Sequence, residues 1–424
     1  MADNKQTILD ALRYEMLSSR DIAKRTDISQ PTVSRVLKTL PVLKLGGGRS
    51  TVFALLAKTD GLPLYQVDSK GQMLLLGTLY ERPDEATVLV GNDGYQAYEN
   101  LPFYFYDTLP SGFLGAITLK KIVQTDTVLT SRSENWSYAQ IVHYLTHYGF
   151  DLAGNQVLGN SMAEQASAAQ FEAVSRDGYS QITAQIKAAP QIYGSSVAGE
   201  QPKFTAYNGN QHLIVKYSPL LSENNPVAQR HRNLMICEHL ALESLRKAGI
   251  AAAKSHLLSS DRLYLEIERF DRIGEHGRRG MVSLRALDAE YVGKNSNWVE
   301  IAQELLKQKR ITLQSFEQVE IAYAFGLLIA NTDMHLGNFS FFMEGLSIGE
   351  ATPIYDMLPM AYMPKQGELM NPEMTMPRFI PVSESAQANA QAVAIKFWQT
   401  VLDNPDISTD FKGLIHSITR SLYC

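Results

Sequence analysis

Apolar positions in the first 60 residues recur at the three- and four-residue spacing of amphipathic helices. Ile8, Leu9 and Leu12 share one face of a first helix. A second helix opens at Leu17–Ala23, and Ser19 is placed to cap its first turn by accepting backbone N–H groups. This end of the chain is therefore predicted to be helical.

A third helix is predicted close behind the second. Ser29 can cap it, and Pro31 is tolerated in its first turn, where a missing N–H needs no partner. Its inner stripe consists of Val33, Val36, Leu37 and Leu40. The side chains left outward suit base edges and phosphates, as on the recognition helix of a helix-turn-helix. They are Gln30, Thr32, Ser34, Arg35 and Lys38.

Two apolar runs after this helix predict a two-stranded wing. Val42–Leu45 and Thr51–Leu55 flank a glycine turn that places Arg49 at its tip. Over roughly residues 5–57 the series resembles the winged helix-turn-helix of bacterial transcription factors, which implies double-stranded DNA as a partner. A small protein-binding helical module is the alternative. DNA is favoured because the helices and the basic-tipped hairpin occur in register.

The next hundred residues predict a small β-rich subdomain followed by helices. Residues 64–67, 72–79 and 86–90 are strand-like, with Gly, Pro and Asp turns between them. Ala163–Ala189 is rich in Ala and Gln and is helical in character. His143 and His147 share a helix face, but no third metal ligand is evident, so we assign them no chemistry.

Composition and charge narrow the class of protein. The 424 residues are 45% hydrophobic and 20% charged, which is typical of two or three globular domains. Residues 1–60 carry a net charge of +4, against −9 for the remainder, so the first domain is suited to an anionic partner. We expect a cytoplasmic protein without a membrane partner, because no apolar run approaches membrane-spanning length. Two cysteines provide neither a disulfide framework nor a zinc site.

The loop Asn331–Asn338 is the main candidate for chemistry. Phosphoryl transfer from ATP needs a carboxylate to orient the attacking hydroxyl, plus an amide and a second carboxylate for Mg²⁺. Asp333, Asn338 and Asp356 supply these groups if the apolar run 339–342 forms a strand that returns Asp356 to the loop. The alternative is an ordinary Asx-rich turn between a helix and a strand.

Three further segments fit a nucleotide site. The small residues of 193–204 permit close approach to phosphates, although Pro202 and the missing Gly-Lys-Ser/Thr ending exclude a Walker A loop, and a plain β-turn is the alternative. Lys216 lies in an apolar strand, where an anion would offset its burial, and Glu238, at the start of a helix, is the candidate partner. This pattern also allows an alternative, in which Lys216 lies at a sheet edge and Glu238 lies on a solvated helix face. The strand from Leu263 leads to the position of a kinase hinge.

These motifs, in this order, resemble those of HipA-like serine/threonine kinases, in the HipH/YjjJ-like variant with a fused helix-turn-helix. They are Ser-Val-Ala-Gly-x-Gln-x-Lys at 196–203, Ile-Val-Lys at 214–216, Glu-Arg-Phe-Asp-Arg at 268–272, Thr-Asp-x-His-x-x-Asn-Phe-Ser at 332–340 and Tyr-Asp at 355–356. The resemblance covers residues 65–420. It implies an α+β protein in which the winged domain precedes a two-lobed, PI3-kinase-like kinase with a mostly helical C-lobe. The expected domains are 1–58, 59–272 and 273–424.

The resemblance also implies roles for individual residues. Asp333 is the catalytic base, Asn338 and Asp356 are the Mg²⁺ ligands, and Ser196, beside Ser195, is the autophosphorylated serine. The residues implied for ATP are Val197, Ala198, Gly199, Lys203, Lys216, Glu268, Phe270 and His335, of which Glu268 and Phe270 fall at the hinge. We expect His335 to hold the loop rather than to move protons. Pro202 departs from the Glu of a common family version, which weakens the loop assignments.

The sequence therefore predicts a toxin-type kinase that transfers the ATP γ-phosphate to a cytoplasmic protein and binds DNA. Characterised relatives phosphorylate aminoacyl-tRNA synthetases, and classical HipA systems use a separate DNA-binding antitoxin. We leave a homodimer open. One alternative is a DNA-binding regulator whose weakly catalytic kinase-like domain senses a nucleotide. The other, a sugar-kinase-type repressor, needs an Asp-x-Gly-x-Thr loop that we do not find in a suitable setting.

Overall fold

The apolar stripes at the start of the chain form one small core in the computed structural model, which describes residues 2–188, 201–372 and 380–422. The elements are α1 (Ala2–Leu12), α2 (Ser19–Thr26), α3 (Gln30–Leu37) and an antiparallel hairpin of β1 (Val42–Leu45) and β2 (Val52–Leu55). Their shared core includes Ile8, Leu12, Ile22, Val33 and Leu37. The helices and the hairpin lie where the apolar pattern predicted them.

The caps of the short helices differ in detail from the prediction. Ser18, not Ser19, caps α2, and its Oγ accepts a hydrogen bond from the Asp21 N–H at 3.2 Å. Ser18 has the extended backbone that a cap requires, whereas Ser19 is already helical. Ser29 occupies the cap position of α3 but its side chain accepts no helix N–H, while Pro31 lies in the first turn as expected.

The β-rich subdomain is a five-stranded antiparallel sheet. Its strands are β3 (Leu62–Val67), β4 (Met73–Glu81), β5 (Thr87–Gly91), β6 (Gly94–Tyr98) and β7 (Gln156–Leu158), in the order β6-β5-β4-β3-β7. The chain between β6 and β7 contains α4 (Gly112–Ile122) and α5 (Tyr138–Tyr148). Leu45 and Ala54 of the hairpin are buried together with Val88 of β5, so the N-terminal unit packs directly on this sheet.

The helix predicted over Ala163–Ala189 is interrupted. The structure has α6 (Asn160–Ala168) and α7 (Tyr179–Ala188), and Ala189 lies outside the described residues. Tertiary contacts hold the intervening segment in a non-helical conformation, since the Val174 N–H donates to the Tyr207 carbonyl at 2.7 Å. Local helix propensity is therefore overridden there by pairing with another part of the chain.

A second antiparallel sheet carries the nucleotide-site candidates. It consists of β8 (Lys203–Tyr207), β9 (His212–Leu220), β10 (Ser255–Ser259) and β11 (Arg262–Glu268), in the order β10-β11-β9-β8. The long helix α8 (Pro226–Lys247) packs on it and starts well before Glu238, which the sequence had placed at a helix start. Pro226 in its first turn and Asn225 as its cap explain the earlier start.

The remainder is mainly helical around a three-stranded sheet. Its elements are the short hairpin β12 (Arg272–Ile273) and β13 (Gly277–Arg278), then β14 (Gly280–Ser283), α9 (Leu284–Leu287), α10 (Trp298–Lys307), α11 (Leu313–Leu328), β15 (Ser340–Glu344), β16 (Ser347–Ala351), α12 (Glu384–Asp403) and α13 (Thr409–Leu422). β15 and β16 return the chain from the loop Asn331–Asn338 to Asp356, as the apolar run 339–342 predicted. Within the described residues, no helix is long and apolar enough to cross a membrane.

Candidate active site

A buried lysine bound to two carboxylates marks the centre of the site. Lys216 Nζ donates to Glu238 Oε1 at 2.6 Å and Oε2 at 2.8 Å, and to Asp356 Oδ1 at 2.6 Å. β9 lies inside the sheet rather than at its edge, and Glu238 is 1% exposed. The pairing of Lys216 with Glu238 is therefore as expected, and the alternative of an edge lysine and a solvated glutamate is wrong.

The charges of these groups follow from burial and from one another. Burial by itself lowers the pKa of Lys216, but Asp356 and Glu238 outweigh it, and the pKa is raised above its usual range. Burial raises the pKa of Asp356, but the charges of Lys216 and then Lys203 have the larger combined effect and lower this pKa to about 2. Burial raises the pKa of Glu238, which Lys216 only partly offsets. The site therefore holds a protonated lysine against an ionised Asp356.

Strand pairing brings a second lysine to the same place. Lys203, the first residue of β8, lies opposite Lys216 of β9 in the antiparallel register. The preceding residue, Pro202, lacks an N–H donor, but its carbonyl accepts from the Tyr217 N–H at 3.1 Å and so extends the pairing. Two cations consequently face Asp356, an arrangement suited to a polyphosphate.

A buried asparagine at the start of the loop Asn331–Asn338 stabilises this loop. Asn331 is 3% exposed; its Oδ1 accepts from the Asp333 N–H at 3.1 Å and its Nδ2 donates to the Asp356 carbonyl at 3.4 Å. Asn338 Nδ2 donates to the Asp333 carbonyl at 2.8 Å, closing the loop. The bond from the Asp333 N–H to Asn331 Oδ1 is an Asx turn, as in the alternative interpretation of this segment. The bond from Asn331 Nδ2 to the Asp356 carbonyl brings Asp356 next to the same loop as Asp333 and Asn338.

Two backbone features give this region an unusual shape. Asp356 has a φ of 57°, a left-handed conformation that costs energy for a residue with a side chain. Ala330, just before the loop, also has a positive φ, of 60°. Such strained residues persist only where the surrounding contacts impose them, and they often occur at functional sites.

Tyr355 is a residue whose role the sequence did not reveal. Its hydroxyl donates to the Gly337 carbonyl at 2.8 Å and is hydrogen-bonded to Ser340 Oγ at 2.8 Å. It thereby ties the chain next to Asp356 to the turn next to Asn338. Only its place in the quoted Tyr-Asp pair could have indicated this role, because the contacts join residues 15 and 18 positions apart.

His335 acts within the loop. Its Nδ1 accepts from the Gly337 N–H at 3.1 Å and its carbonyl accepts from the Trp298 indole N–H at 3.0 Å. These contacts fit the expectation that it holds the loop.

The two hinge candidates lie at the end of β11 and in the turn that follows it. Glu268 ends β11, pairs in register with Leu213 of β9, and has a carboxylate oxygen 3.2 Å from Lys254 Nζ. Phe270 packs on Tyr355 with ring centroids 5.6 Å apart. Phe270 therefore borders the site directly, whereas Glu268 is already engaged by a lysine.

Some predicted residues fall outside what the structure describes. Ser195, Ser196, Val197, Ala198 and Gly199 all lie between the described residues 188 and 201. Their predicted roles in phosphate binding and autophosphorylation stay predictions.

The predicted DNA-contacting residues are placed on the N-terminal unit. Gln30, Ser34, Arg35 and Lys38 are exposed along α3, and Thr32 is half-buried. Arg49 is exposed in the turn between β1 and β2. A helix face and a hairpin tip are thus both open to a partner.

The donor atoms near Asp356 suit a magnesium ion that is also bound by phosphates. Mg²⁺ prefers oxygen ligands and is often held by one or two protein side chains plus substrate phosphates and water. Asp356 is ionised, and the bond from Asn338 Nδ2 to Asp333 turns the Asn338 amide oxygen away from that carbonyl. No cluster of three or more His, Cys, Asp or Glu ligands occurs in the described part of the chain, so an all-protein metal cage is not present there.

Family models match both the kinase-like and the middle parts of the chain. One, described as the HipA-like C-terminal domain, covers residues 195–404, and one, described as the YjjJ-like toxin middle domain, covers residues 58–167. The chain belongs to the HipA-like toxin family, with a YjjJ-like middle domain. It is similar to Toxin YjjJ of Escherichia coli (strain K12), with 34% identity over 98% of this chain and 97% of that protein.

One solved structure supports the same fold. HipA of Shewanella oneidensis MR-1, determined with HipB and its operator DNA, matches with a TM-score of 0.54 and 16% identity, over 85% of this chain and 95% of its own. The chain therefore has the mixed α/β fold of HipA. The Helicobacter pylori proinflammatory kinase CtkA aligns over 54% of this chain and 88% of its own at 14% identity, and its TM-score of 0.36 is too low to add to this conclusion.

Proposed function

We propose that this protein is a toxin-type serine/threonine protein kinase that uses Mg-ATP. The observation that carries the proposal is the buried Lys216, bound to Glu238 and Asp356 beside the loop of Asp333 and Asn338. Phosphoryl transfer depends mainly on positioning and on charge stabilisation, which such an arrangement supplies. A structural ion pair alone would not need Asp333 and Asn338 alongside it.

Each residue has a distinct role in this proposal. Lys216 and Lys203 bind the ATP phosphates, and Glu238 keeps Lys216 in place. Asp333 orients the acceptor hydroxyl and takes its proton. Asn338 and Asp356 hold Mg²⁺, which neutralises charge on the phosphates when bound. Phe270 and Glu268 contribute to the adenine side, and Val197, Ala198 and Gly199 approach the phosphates.

The acceptor is proposed to be a cytoplasmic protein. By family resemblance an aminoacyl-tRNA synthetase is the candidate class. The kinase also modifies itself on Ser196 or Ser195, which lie in the phosphate-binding segment, so that modification would interfere with ATP binding. Phosphate adds negative charge and therefore repels the nucleotide phosphates.

The N-terminal unit is proposed to be a winged helix-turn-helix that binds double-stranded DNA. Support comes from the exposed polar face of α3, from Arg49 at the hairpin tip and from the net charge of +4 on residues 1–60. The related HipA structure is a complex with HipB and operator DNA. In this chain, 1–58 would supply DNA binding, and 59–272 and 273–424 would form the two kinase lobes.

Mass spectrometry of the dephosphorylated protein tests the activity. After incubation with Mg-ATP, we expect the wild type to gain phosphate on Ser196 or Ser195 and Asp333→Asn to gain none. Asp333→Asn keeps the side-chain shape but cannot accept the hydroxyl proton.

A different result would favour the alternative function, a DNA-binding regulator whose kinase-like domain senses a nucleotide. If neither protein gains phosphate and none is transferred to added proteins, while Mg-ATP still raises the melting temperature, the domain senses nucleotide without turning it over. Ligand-dependent stabilisation reports binding alone.

A further inference from the structure

A cavity of about 760 Å³ lies where the middle domain meets α9. On the middle-domain side, the cavity is lined by Tyr106 and by Ala116 and Leu119 of α4. On the other side, it is lined by Arg285 and Ala289. Neither Lys216 nor Asp356 is among its lining residues, so the cavity is separate from the groups assigned to the nucleotide.

Arg285 connects this cavity to the catalytic loop. A Cβ added to Gly337 would lie 3.1 Å from Arg285 Nη2, so the guanidinium lies against the turn between Asp333 and Asn338. The backbone fixes this approach, since the Leu284 N–H donates to the Phe339 carbonyl at 2.8 Å. A ligand in the cavity would therefore contact a side chain that also touches the catalytic turn.

The charges and shape of the cavity limit what it can bind. Arg132 and Arg285 are exposed among the lining residues, of which Glu134 is the one carboxylate, and Asp107 lies outside the lining but close enough to Arg285 to interact with it. Ala116, which is half-buried, and Leu119, which is 3% exposed, add an apolar part to the lining. A chain segment that carries an acidic residue and an apolar one would match this combination, because charge complementarity selects among partners.

We infer that this cavity is the acceptor subsite of the kinase and binds the protein segment that flanks the phosphorylated serine or threonine. An Asp or Glu in that segment pairs with Arg132 and Arg285, and an apolar neighbour lies on Ala116 and Leu119. The inference rests on the proposed kinase function. In the reaction, the acceptor oxygen forms a bond to the γ-phosphorus, the bond to the β–γ bridging oxygen breaks, Asp333 takes the hydroxyl proton, and ADP leaves.

A peptide library tests the subsite. Full-length dephosphorylated protein is incubated with labelled Mg-ATP and peptides that carry one central Ser or Thr and degenerate flanks. The wild type is expected to select Asp or Glu at a flanking position. Arg132→Glu is expected to lose that selection and to raise KM for the preferred peptide about tenfold with little change in kcat, since one ion pair is lost.

Two further variants sharpen the result. Lys121→Glu makes the same charge change on an exposed residue of α4 that does not line the cavity, and it should leave selection unchanged. Ala116→Trp fills the cavity and should raise KM for peptides whatever their charge. A rise in melting temperature on adding Mg-ATP, equal to that of the wild type, reports an intact nucleotide site in each variant, because neither Arg132 nor Ala116 is among the residues assigned to ATP.

The outcomes separate the subsite from the kinase function. Self-phosphorylation without phosphate on any peptide, transfer without acidic preference, or a preference that Arg132→Glu and Ala116→Trp leave intact would each overturn the subsite. Loss of kcat at unchanged KM in Arg132→Glu would do so as well. If the wild type transfers phosphate neither to itself nor to a peptide, the proposed kinase function fails with it.

Discussion

At the scale of single residues, the site depends on a lysine whose neighbours keep it charged. Lys216 is 5% exposed and is bound by two carboxylates, which is a costly arrangement unless every charge is paired. The sequence could predict the pairing with Glu238, because a lone lysine in an apolar strand needs an anion. It could not predict that Asp356, 140 residues away, would share the same ammonium.

The pH dependence of stability should reveal the charge on Asp356. Its pKa is about 2 in the folded protein, below the value of about 3.9 for an unfolded aspartate, so ionisation stabilises the fold above about pH 4. This contribution is lost as the pH falls toward 2. We predict that the difference in free energy of unfolding between the wild type and Asp356→Asn shrinks over that interval, as measured by urea titrations. A difference that stays constant would contradict an ionised, lysine-bound Asp356.

At the scale of elements, helix α11 positions the catalytic loop that follows it. Gly326 lies in this helix directly against the Sδ of Met334 in the loop. The Asn331 N–H donates to the Gly326 carbonyl at 2.9 Å, so the same glycine also accepts a hydrogen bond from the first residue of the loop. The sequence does not reveal this close approach, because it depends on how the helix and the loop pack on each other.

Gly326→Ala should displace the loop, because the added Cβ would overlap Met334 Sδ. We predict lower stability and much weaker self-phosphorylation. Gly413→Ala is the control, since Gly413 lies on the exposed face of α13 with nothing near its Cβ position, and this change should stabilise the protein by about 1 kcal/mol. Thermal unfolding and phosphate incorporation measure both effects. Equal stabilisation by the two substitutions would show that the Met334 side chain can move aside without lowering the free energy of unfolding.

At the scale of the whole molecule, the half-buried carboxylate of Asp107 links the middle domain toward the loop Asn331–Asn338. Asp107 accepts from the Ser283 N–H at 2.6 Å and from its Oγ at 2.5 Å. Ser283 pairs with Ser340, which is hydrogen-bonded to Tyr355. Burial raises the pKa of Asp107, which the bonds from Ser283 partly offset. The middle domain is thus linked to the catalytic turn by a continuous set of contacts.

Asp107→Ala should weaken both stability and catalysis. The change leaves two buried donors of Ser283 without an acceptor, at a cost of about 1–3 kcal/mol. Asp93→Ala, on an exposed turn of the same domain, is the matched control and should change little. Chemical denaturation gives the stability, and self-phosphorylation gives the activity. Full activity of Asp107→Ala at unchanged stability would separate the middle domain from the loop.

The proposed DNA binding would also depend on the charge distribution of the whole molecule. Arg35→Ala should weaken binding to double-stranded DNA and should reduce the slope of log K against log salt by about 1 if Arg35 contacts a phosphate. Lys396→Ala removes the same charge from the exposed face of α12 and should leave both quantities unchanged. Equilibrium titrations of labelled duplex at several salt concentrations distinguish the two.

The sequence by itself determined the local elements and the groups that carry chemistry. Periodic apolar residues predicted the N-terminal helices, the hairpin and three of the five strands of the middle sheet, but not β6 or β7. The order of short motifs indicated the family. Local signals failed at Ser19, at Glu238 and over Ala163–Ala189, where cap geometry or distant pairing decides the conformation.

Only the tertiary structure decided which of these groups meet. The triad of Lys216, Glu238 and Asp356, the bridge made by Tyr355 and the cavity beside Arg285 all join residues from separate elements. Such contacts depend on how sheets and helices pack, and side-chain patterns along the chain do not encode them directly. The physical reason is that packing selects one set of contacts among many that are equally compatible with the local sequence. The sequence can therefore indicate which residues carry reactive groups, but only the fold determines which of them form a site.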